Sequence, residues 1–370
     1  MSRFIFVSGD IGGAKMQLPV IKKLIQQDDN HSVTVVSDPE GKGYTVFQEV
    51  GILPWLDIDS DKKIDSVIAN SDLAFVSTCA SATKTELAFA QKAYGKVPVV
   101  LGVDGFFNHR LKAWQNVKAD YWFAINEGHA QAIRSARSQF AGNRVVVVGQ
   151  PAFDVCIDLI PRKEEIRTKV RQEFNIAATD VIALWWSQGT AQVIEEDIEM
   201  AQAAIRCLPK GSIFIARLHP KLENIRKGYL DEIRKKIQEV CDDCGVKVLN
   251  ADRIPFPGEE LCLAVDVIFS ITCTEDIKSV MMGGPPVIHF LGPKVRAWFE
   301  QDLFLKPPYL PDLMTGQAMS VYSRNEIAVA IHSAFSDDHR ARLLSNWVPP
   351  IEKSTDKVAN ELISLANGPQ

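Results

Sequence analysis

Arg3-Phe4-Ile5-Phe6-Val7-Ser8-Gly9-Asp10-Ile11-Gly12-Gly13-Ala14-Lys15, near the start of the chain, carries the reading of the fold. Arg3–Val7 is short, apolar and β-favouring, so it reads as a buried strand; the spacing beyond the loop predicts a helix over Met16–Gln27. A strand that passes through a glycine-bearing turn into a helix is the first half of a βαβ unit. Glycines in that turn let a ligand approach the backbone, and the helix start offers N–H donors without intrahelical partners. The loop is not a dinucleotide fingerprint, because G-x-G-x-x-G is absent. It is not a P-loop either, because Ala14 and Met16 stand where glycine and Ser/Thr are required. Asp10, Gly12 and Gly13 form either a ligand-binding turn or a plain tight turn with an exposed Asp10.

The same alternation repeats outward from this stretch. Ser32–Val36, Leu73–Val76, Val97–Val103, Tyr121–Ile125 and Val145–Val148 read as buried strands, with helical patterns over Tyr44–Val50, Lys84–Tyr94 and Gly128–Ser138 between them. A second block follows. It has strands at Val181–Trp185, Ser212–Ala216, Val246–Leu249, Val267–Phe269 and Val287–Phe290, and helices at Ile166–Phe174, Glu195–Cys207, Lys227–Cys241 and Asp276–Met282. Pro293–Gly316 reads as irregular and proline-rich, and helical stretches near Arg324–Leu343 and Thr355–Leu365 close the chain. The pattern predicts an α/β protein of two doubly wound, Rossmann-like domains facing across a cleft. Residues 1–160 form the first and 161–345 the second. Residues 346–370 form a C-terminal helix packing back on the first.

A chain of 370 residues is too long for one ordinary core and suits two. Hydrophobic residues at 46% and charged residues at 24% are the balance of a globular protein. A net charge of -5 argues against a nucleic-acid partner, which calls for a basic face. Phe4-Ile5-Phe6-Val7 is cut short by Ser8-Gly9-Asp10, so no secretory segment is legible, and a cytoplasmic location is expected. The seven cysteines are scattered, and Cys241-Asp242-Asp243-Cys244 lacks the second ligand pair of a zinc site. The histidines show no ligand spacing, and there is no G-x-S-x-G elbow.

In open parallel sheets, ligands sit beyond the carboxyl ends of the strands. Ser77-Thr78-Cys79-Ala80-Ser81-Ala82-Thr83 offers hydroxyls there, for a substrate or for capping the next helix. Asp104-Gly105-Phe106-Phe107-Asn108-His109-Arg110 places an acid, an imidazole and a guanidinium at one strand end. Asp104 suits a general base and Arg110 an anion contact, although a surface loop with a capping Asp reads equally from the residues. In the second block Ser187-Gln188-Gly189-Thr190, Arg217-Leu218-His219-Pro220 and Ser270-Ile271-Thr272-Cys273-Thr274-Glu275 occupy the corresponding loops. The aromatic and basic stretch with Lys294, Arg296, Trp298, Phe299, Phe304 and Lys306 either touches a membrane surface from one side or packs on its own domain.

With these residues in view, the chain resembles the GT-B superfamily of nucleotide-sugar glycosyltransferases and UDP-N-acetylglucosamine 2-epimerases. Phe6-Val7-Ser8-Gly9-Asp10 with Gly12-Gly13 resembles their glycine-rich start. Gly149-Gln150-Pro151-Ala152-Phe153-Asp154 is similar to the G-x-P-x-x-D segment that ends their first domain. Arg217-Leu218-His219-Pro220 resembles their His-Pro loop, and Asp266–Ile288 their donor-nucleotide region. The resemblance implies a metal-independent, cofactor-free glycosyltransferase acting on a UDP-sugar donor and a saccharide or lipid-linked acceptor, with peripheral membrane contact. It places the donor on Ser187, Gly189, Thr190, Arg217, His219, Thr272, Thr274 and Glu275, and the acceptor on Gly12, Gly13, Thr78, His109 and Arg110, with Asp104 or Asp10 as base. Two departures stand beside it. Thr78-Cys79-Ala80-Ser81 replaces an acidic loop residue of the epimerases, and Lys278 or Ser279 stands where a ribose-holding glutamate is usual, with Glu275 a turn earlier. Epimerase or hydrolase action on a nucleotide sugar is one alternative; a GT-B-like binding protein without catalysis is the other.

Overall fold

The computed structural model describes residues 2–27, 31–39, 41–55, 61–79, 84–105, 108–136, 144–250, 255–303, 305, 318–345, 347 and 349–368. The chain divides into two compact units, Met1–Val155 with Ile351–Gln370, and Cys156–Pro350. Among the described residues, no helix is long and apolar enough to cross a membrane.

The first unit holds a six-stranded parallel sheet in the order β2-β1-β3-β4-β5-β6. Its strands are β1 (Ser2–Val7), β2 (His31–Val36), β3 (Leu73–Thr78), β4 (Val99–Val103), β5 (Tyr121–Ala124) and β6 (Arg144–Val147). Helices α1 (Ile11–Gln27), α2 (Lys42–Gln48), α3 (Asp61–Ala69), α4 (Lys84–Ala93) and α5 (Glu127–Ala136) connect them. Side chains alternate across the pleat, which is why the strands read as unbroken apolar runs. Ile5, Val7, Val76 and Leu101 pack into one layer with Ile64, Phe89 and Ile133. Phe4, Phe6, Phe75 and Val100 pack into the other with Met16, Val20 and Leu24 of α1.

The second layer is completed by the last helix, α15 (Ser354–Ala366), whose Val358, Ala359 and Leu362 are fully covered there. Burying a valine or leucine side chain contributes about 1.5–3 kcal/mol, so the seam favours docking. The polar fastening is Asp154. Its two carboxyl oxygens accept the N–H groups of Ser354 and Thr355 at 2.7 and 2.8 Å, capping the first turn of α15 from two hundred residues away. Gly149 has φ +87, and a Cβ there would lie 2.2 Å from the Ser354 hydroxyl, so both conformation and space demand glycine. The G-x-P-x-x-D segment is therefore a clamp for the C-terminal helix.

The second unit also holds a six-stranded parallel sheet, in the order β12-β11-β10-β7-β8-β9. Its strands are β7 (Ile182–Trp186), β8 (Ile213–Arg217), β9 (Lys247–Asn250), β10 (Val267–Ser270), β11 (Val287–Phe290) and β12 (Ala318–Val321). The helices are α6 (Asp154–Leu159, starting at the boundary), α7 (Lys163–Glu173), α8 (Ile194–Cys207), α9 (Tyr229–Cys244), α10 (Gly258–Ala264), α11 (Thr274–Met281), α12 (Pro293–Asp302), α13 (Arg324–Phe335) and α14 (Asp337–Ser345).

Several local expectations change. Pro293–Asp302 is helical rather than irregular, because Pro293 occupies the first helical position, where its missing N–H costs nothing. Phe299 is buried and Trp298 packs on it at 5.2 Å, so these aromatics serve their own unit; Phe304 and Lys306 lie outside the described residues. Arg324–Leu343 is two helices parted at Ser336, whose ψ of 136 is extended. Strand β12 and helices α3 and α10 have no counterpart in the sequence pattern.

Asp154→Ala strips two N–H groups of their partner and is expected to lower the unfolding free energy by about 1–3 kcal/mol in urea titrations. Asp154→Asn, which keeps one acceptor, should lose less.

Candidate functional site

The chain runs from β7 to β8 on one side of β7, while β10 pairs on the other, so the strand order reverses between β7 and β10. Loops leaving the carboxyl ends at such a reversal form a crevice. Ser187 follows β7 and its hydroxyl accepts the N–H of His219 at 2.8 Å, joining the loops after β7 and β8. Gly189 lies on the His219 imidazole, where a Cβ would come within 2.5 Å of Nδ1; no side chain fits. His219 Nδ1 accepts the Lys221 N–H at 3.1 Å, so a neutral ring carries its proton on Nε2. Gln188 spans to the third loop: its Oε1 accepts the Gly189 N–H at 2.8 Å and its Nε2 donates to the Thr272 carbonyl at 3.4 Å. Ser187, Gly189, His219 and Thr272 are thereby brought to one edge, with Thr190 partly exposed beside them and Thr274 exposed at the start of α11.

A charged cluster borders these loops. Arg217, the last residue of β8, sits over the Trp186 ring at 5.1 Å. Glu275 receives Lys278 Nζ at 2.9 Å, and the same ammonium lies 3.5 Å from Glu259. Gly258 packs between them: a Cβ there would meet the Glu275 carboxyl at 2.9 Å and Trp186 at 3.1 Å. Burial raises the Glu275 pKa and Lys278 opposes that rise. Glu275 Oε2, Arg217 Nη1 and Trp186 Nε1 are buried without a hydrogen-bond partner among the described residues. Lys278, in the position where the resemblance expects a ribose carboxylate, instead fastens Glu275.

Below the crevice lie two fully buried carboxyl groups. Asp197 accepts Trp185 Nε1 at 3.0 Å and the Gln188 N–H at 2.7 Å. Asp276 accepts the Cys273 N–H at 2.9 Å and the Ser270 hydroxyl at 2.5 Å. Burial pushes each up to about 7. His289 Nδ1 contacts the Ile271 carbonyl at 2.9 Å, and burial pushes this imidazole down to about 4. None of the three was a candidate from the sequence. An Asp inside an amphipathic helix and a His inside a strand carry no local signal of facing inward.

In the first unit the strand order reverses between β1 and β3. The Asp10 carboxyl accepts the Gly13 N–H at 2.9 Å, capping α1. Asp104 reaches the same turn, since a Cβ on Gly12 would lie 2.8 Å from Asp104 Oδ2 and 3.6 Å from Asp10 Oδ1. Burial, and then the neighbouring Asp10 charge, hold the Asp104 carboxyl well above the ordinary aspartate range, while the Asn108 side-chain amide partly offsets this. Thr78 Oγ1 and Gln150 Oε1 are buried without partners among the described residues. His109 turns inward against His129, ring nitrogens 3.3 Å apart, and Arg110 is half-buried beside the pair. Burial and then the Arg110 charge push His129 down to about 3. Ala80–Thr83 and Phe106-Phe107 lie outside the described residues.

Glu86 was also not a candidate. Fully buried, it accepts the Gly9 N–H at 2.9 Å, the Ser77 hydroxyl at 3.0 Å and the Cys79 thiol at 2.8 Å. Among the described residues, no group of three or more His, Cys, Asp or Glu could hold a metal ion.

No protein-family model and no curated protein matches the sequence. Solved structures do match over the whole chain. The UDP co-structure of Staphylococcus aureus MnaA has a TM-score of 0.67 at 15% identity, covering 99% of this chain and 97% of that one. The Neisseria meningitidis UDP-GlcNAc 2-epimerase, bound to UDP-GlcNAc, gives 0.65 at 16%, covering 98% and 99%. A glycosyltransferase from Rickettsia africae gives 0.63 at 12%, covering 100% and 99%. The chain has the GT-B fold. Identities this low carry the architecture alone, because one fold hosts several chemistries.

In this GT-B fold the buried carboxyl groups set a pH dependence. An unfolded aspartate titrates near 3.9 and folded Asp197 at about 7. The folded state holds that proton more tightly, so this contribution to stability is full below about pH 4 and is lost as pH rises through 7. Asp197→Asn removes the slope. Relative to wild type, its unfolding free energy in urea should gain about 2–3 kcal/mol between pH 5 and pH 8.

Proposed function

We propose that the chain transfers a sugar from a nucleoside-diphosphate donor, with UDP as the leaving group, to a hydroxyl acceptor. The observation that carries the reading is the open pair at the second unit's carboxyl edge. Glu275 Oε2 is an unpartnered acceptor and Arg217 Nη1 an unpartnered donor, both buried and both at the loops around the strand-order reversal. A ribose hydroxyl would donate to Glu275, and a phosphate oxygen would accept from Arg217. The backbone at Ser187–Thr190, brought close by Gly189, and the Nε2 proton of His219 would take the developing negative charge of the leaving diphosphate. In the first unit, burial and then the Asp10 charge raise the Asp104 pKa, which makes its carboxylate a stronger base toward an acceptor hydroxyl. Thr78, Gly12 and Gly13 border the same turn and would seat the acceptor. Neighbours of this fold that are bound to UDP or UDP-GlcNAc support a uridine nucleotide as the donor's base.

Action on the nucleotide sugar alone, as an epimerase or hydrolase, is the second reading. It is favoured by the paired carboxyl groups Asp10 and Asp104, which can move a proton without any acceptor.

Calorimetry with UDP, without added metal, is the test. The wild type should bind, and Glu275→Ala and His219→Ala should each weaken binding at least tenfold, about 1.4 kcal/mol. Gly189→Val should abolish it by displacing His219. Absence of UDP binding in the wild type would sink the proposal. Asp104→Asn should leave UDP affinity within about twofold while cutting turnover by roughly a hundredfold or more. Consumption of UDP-GlcNAc with no acceptor present would decide for the second reading.

A further inference from the structure

The second unit has a cavity of about 190 Å³ at the amino ends of β10 and β11, the sheet edge opposite the crevice. Its size falls below the roughly 300–1,000 Å³ of sites for drug-sized ligands, so a nucleotide sugar does not fit. Lys163, Arg167 and Arg340 line it, and Leu263, Pro286 and Leu343 form apolar wall.

The cations are not equally engaged. Arg167 is spent: it donates to the Asp266 carboxyl at 2.6 Å and to the carbonyls of Ala264 and Val265 at 3.2 Å. Asp266 is spent too, since it also accepts the Ile182 N–H at 2.8 Å. Lys163 donates only to the carbonyl of Gly283; Arg340 donates only through Nε, to the Ala334 carbonyl at 3.1 Å, and its guanidinium lies over the Phe335 ring at 5.6 Å. Neither forms an ion pair with a described residue. Burial pushes the Lys163 ammonium below its ordinary value, and the neighbouring Glu164 charge partly opposes that fall. Glu164, the other carboxylate on the lining, is exposed to water.

We propose that this cavity binds a small anion with an apolar tail, its head group meeting Lys163 and Arg340 and its tail packing on Leu263, Pro286 and Leu343. A phosphate monoester and a carboxylate share this chemistry. Two donors on separate helices, α7 and α14, fix the head group, and the apolar wall rewards a chain of a few carbons.

The test is calorimetric titration of the full chain with hexyl phosphate, hexanoate and inorganic phosphate, each with and without saturating UDP. One equivalent of hexyl phosphate or hexanoate should bind at about 1 mM or tighter, inorganic phosphate at least tenfold more weakly, and UDP should not compete. Lys163→Gln and Arg340→Gln should each weaken the tailed anion at least tenfold. Tighter binding of hexyl phosphate assigns the site to phosphate monoesters, and tighter binding of hexanoate to carboxylates. No binding of either at several millimolar, displacement by UDP, or unchanged affinity in both variants overturns the proposal. Should Lys163→Gln fail to fold, Arg340→Gln decides alone, since Arg340 is partly exposed and forms one carbonyl bond and one ring contact. The outcome stands whether or not UDP binds, so failure of the glycosyltransferase reading is seen separately.

Discussion

In both units a buried carboxyl group receives a backbone N–H from the loop that leaves the sheet where the strand order reverses. Glu86 takes Gly9, Asp197 takes Gln188 and Asp276 takes Cys273. A loop at the end of a buried parallel strand leaves N–H groups that cannot all reach water, and each must find an acceptor. A carboxyl group satisfies them strongly, but burying it is costly unless it is fully hydrogen-bonded. That balance accounts for the dense contacts around each one, including the Ser77 and Cys79 donors to Glu86 and the Trp185 indole on Asp197. These bonds tie each loop to the layer beneath it.

Glycines do the complementary work above. Gly189 on His219 and Gly12 beside Asp10 and Asp104 let polar groups converge where a side chain would keep them apart. Convergence of like charges has an electrostatic consequence. Burial holds both Asp104 and Glu275 toward the protonated form; the Asp10 charge adds to this at Asp104, whereas Lys278 opposes it at Glu275. The two sheet edges therefore surround a buried carboxyl group differently, with a like charge in one unit and an opposite charge in the other. The lysine that replaces an expected ribose ligand leaves Glu275 Oε2 open while holding Oε1.

Sequence alone determined a great deal here. Unbroken apolar strands separated by amphipathic helices can be buried only between two helical layers, so the parallel, doubly wound architecture followed from periodicity. Position at a strand's carboxyl end followed from the same pattern, which is why Ser187, Gly189, His219, Thr272 and Glu275 could be named from their loops. What periodicity cannot carry is direction in three dimensions. Glu86, Asp197, Asp276 and His289 occupy ordinary helical or strand positions, and only packing against distant loops makes them anchors. His109 read as a loop residue and is buried against His129, because the 3-10 turn Asn108–Arg110 rolls it inward. Asp154 read as a motif residue; its capping of α15 joins positions two hundred residues apart, a contact that no local pattern encodes. Local chemistry fixes elements and loops, whereas long-range contacts decide which polar groups are buried, and burial decides their charge.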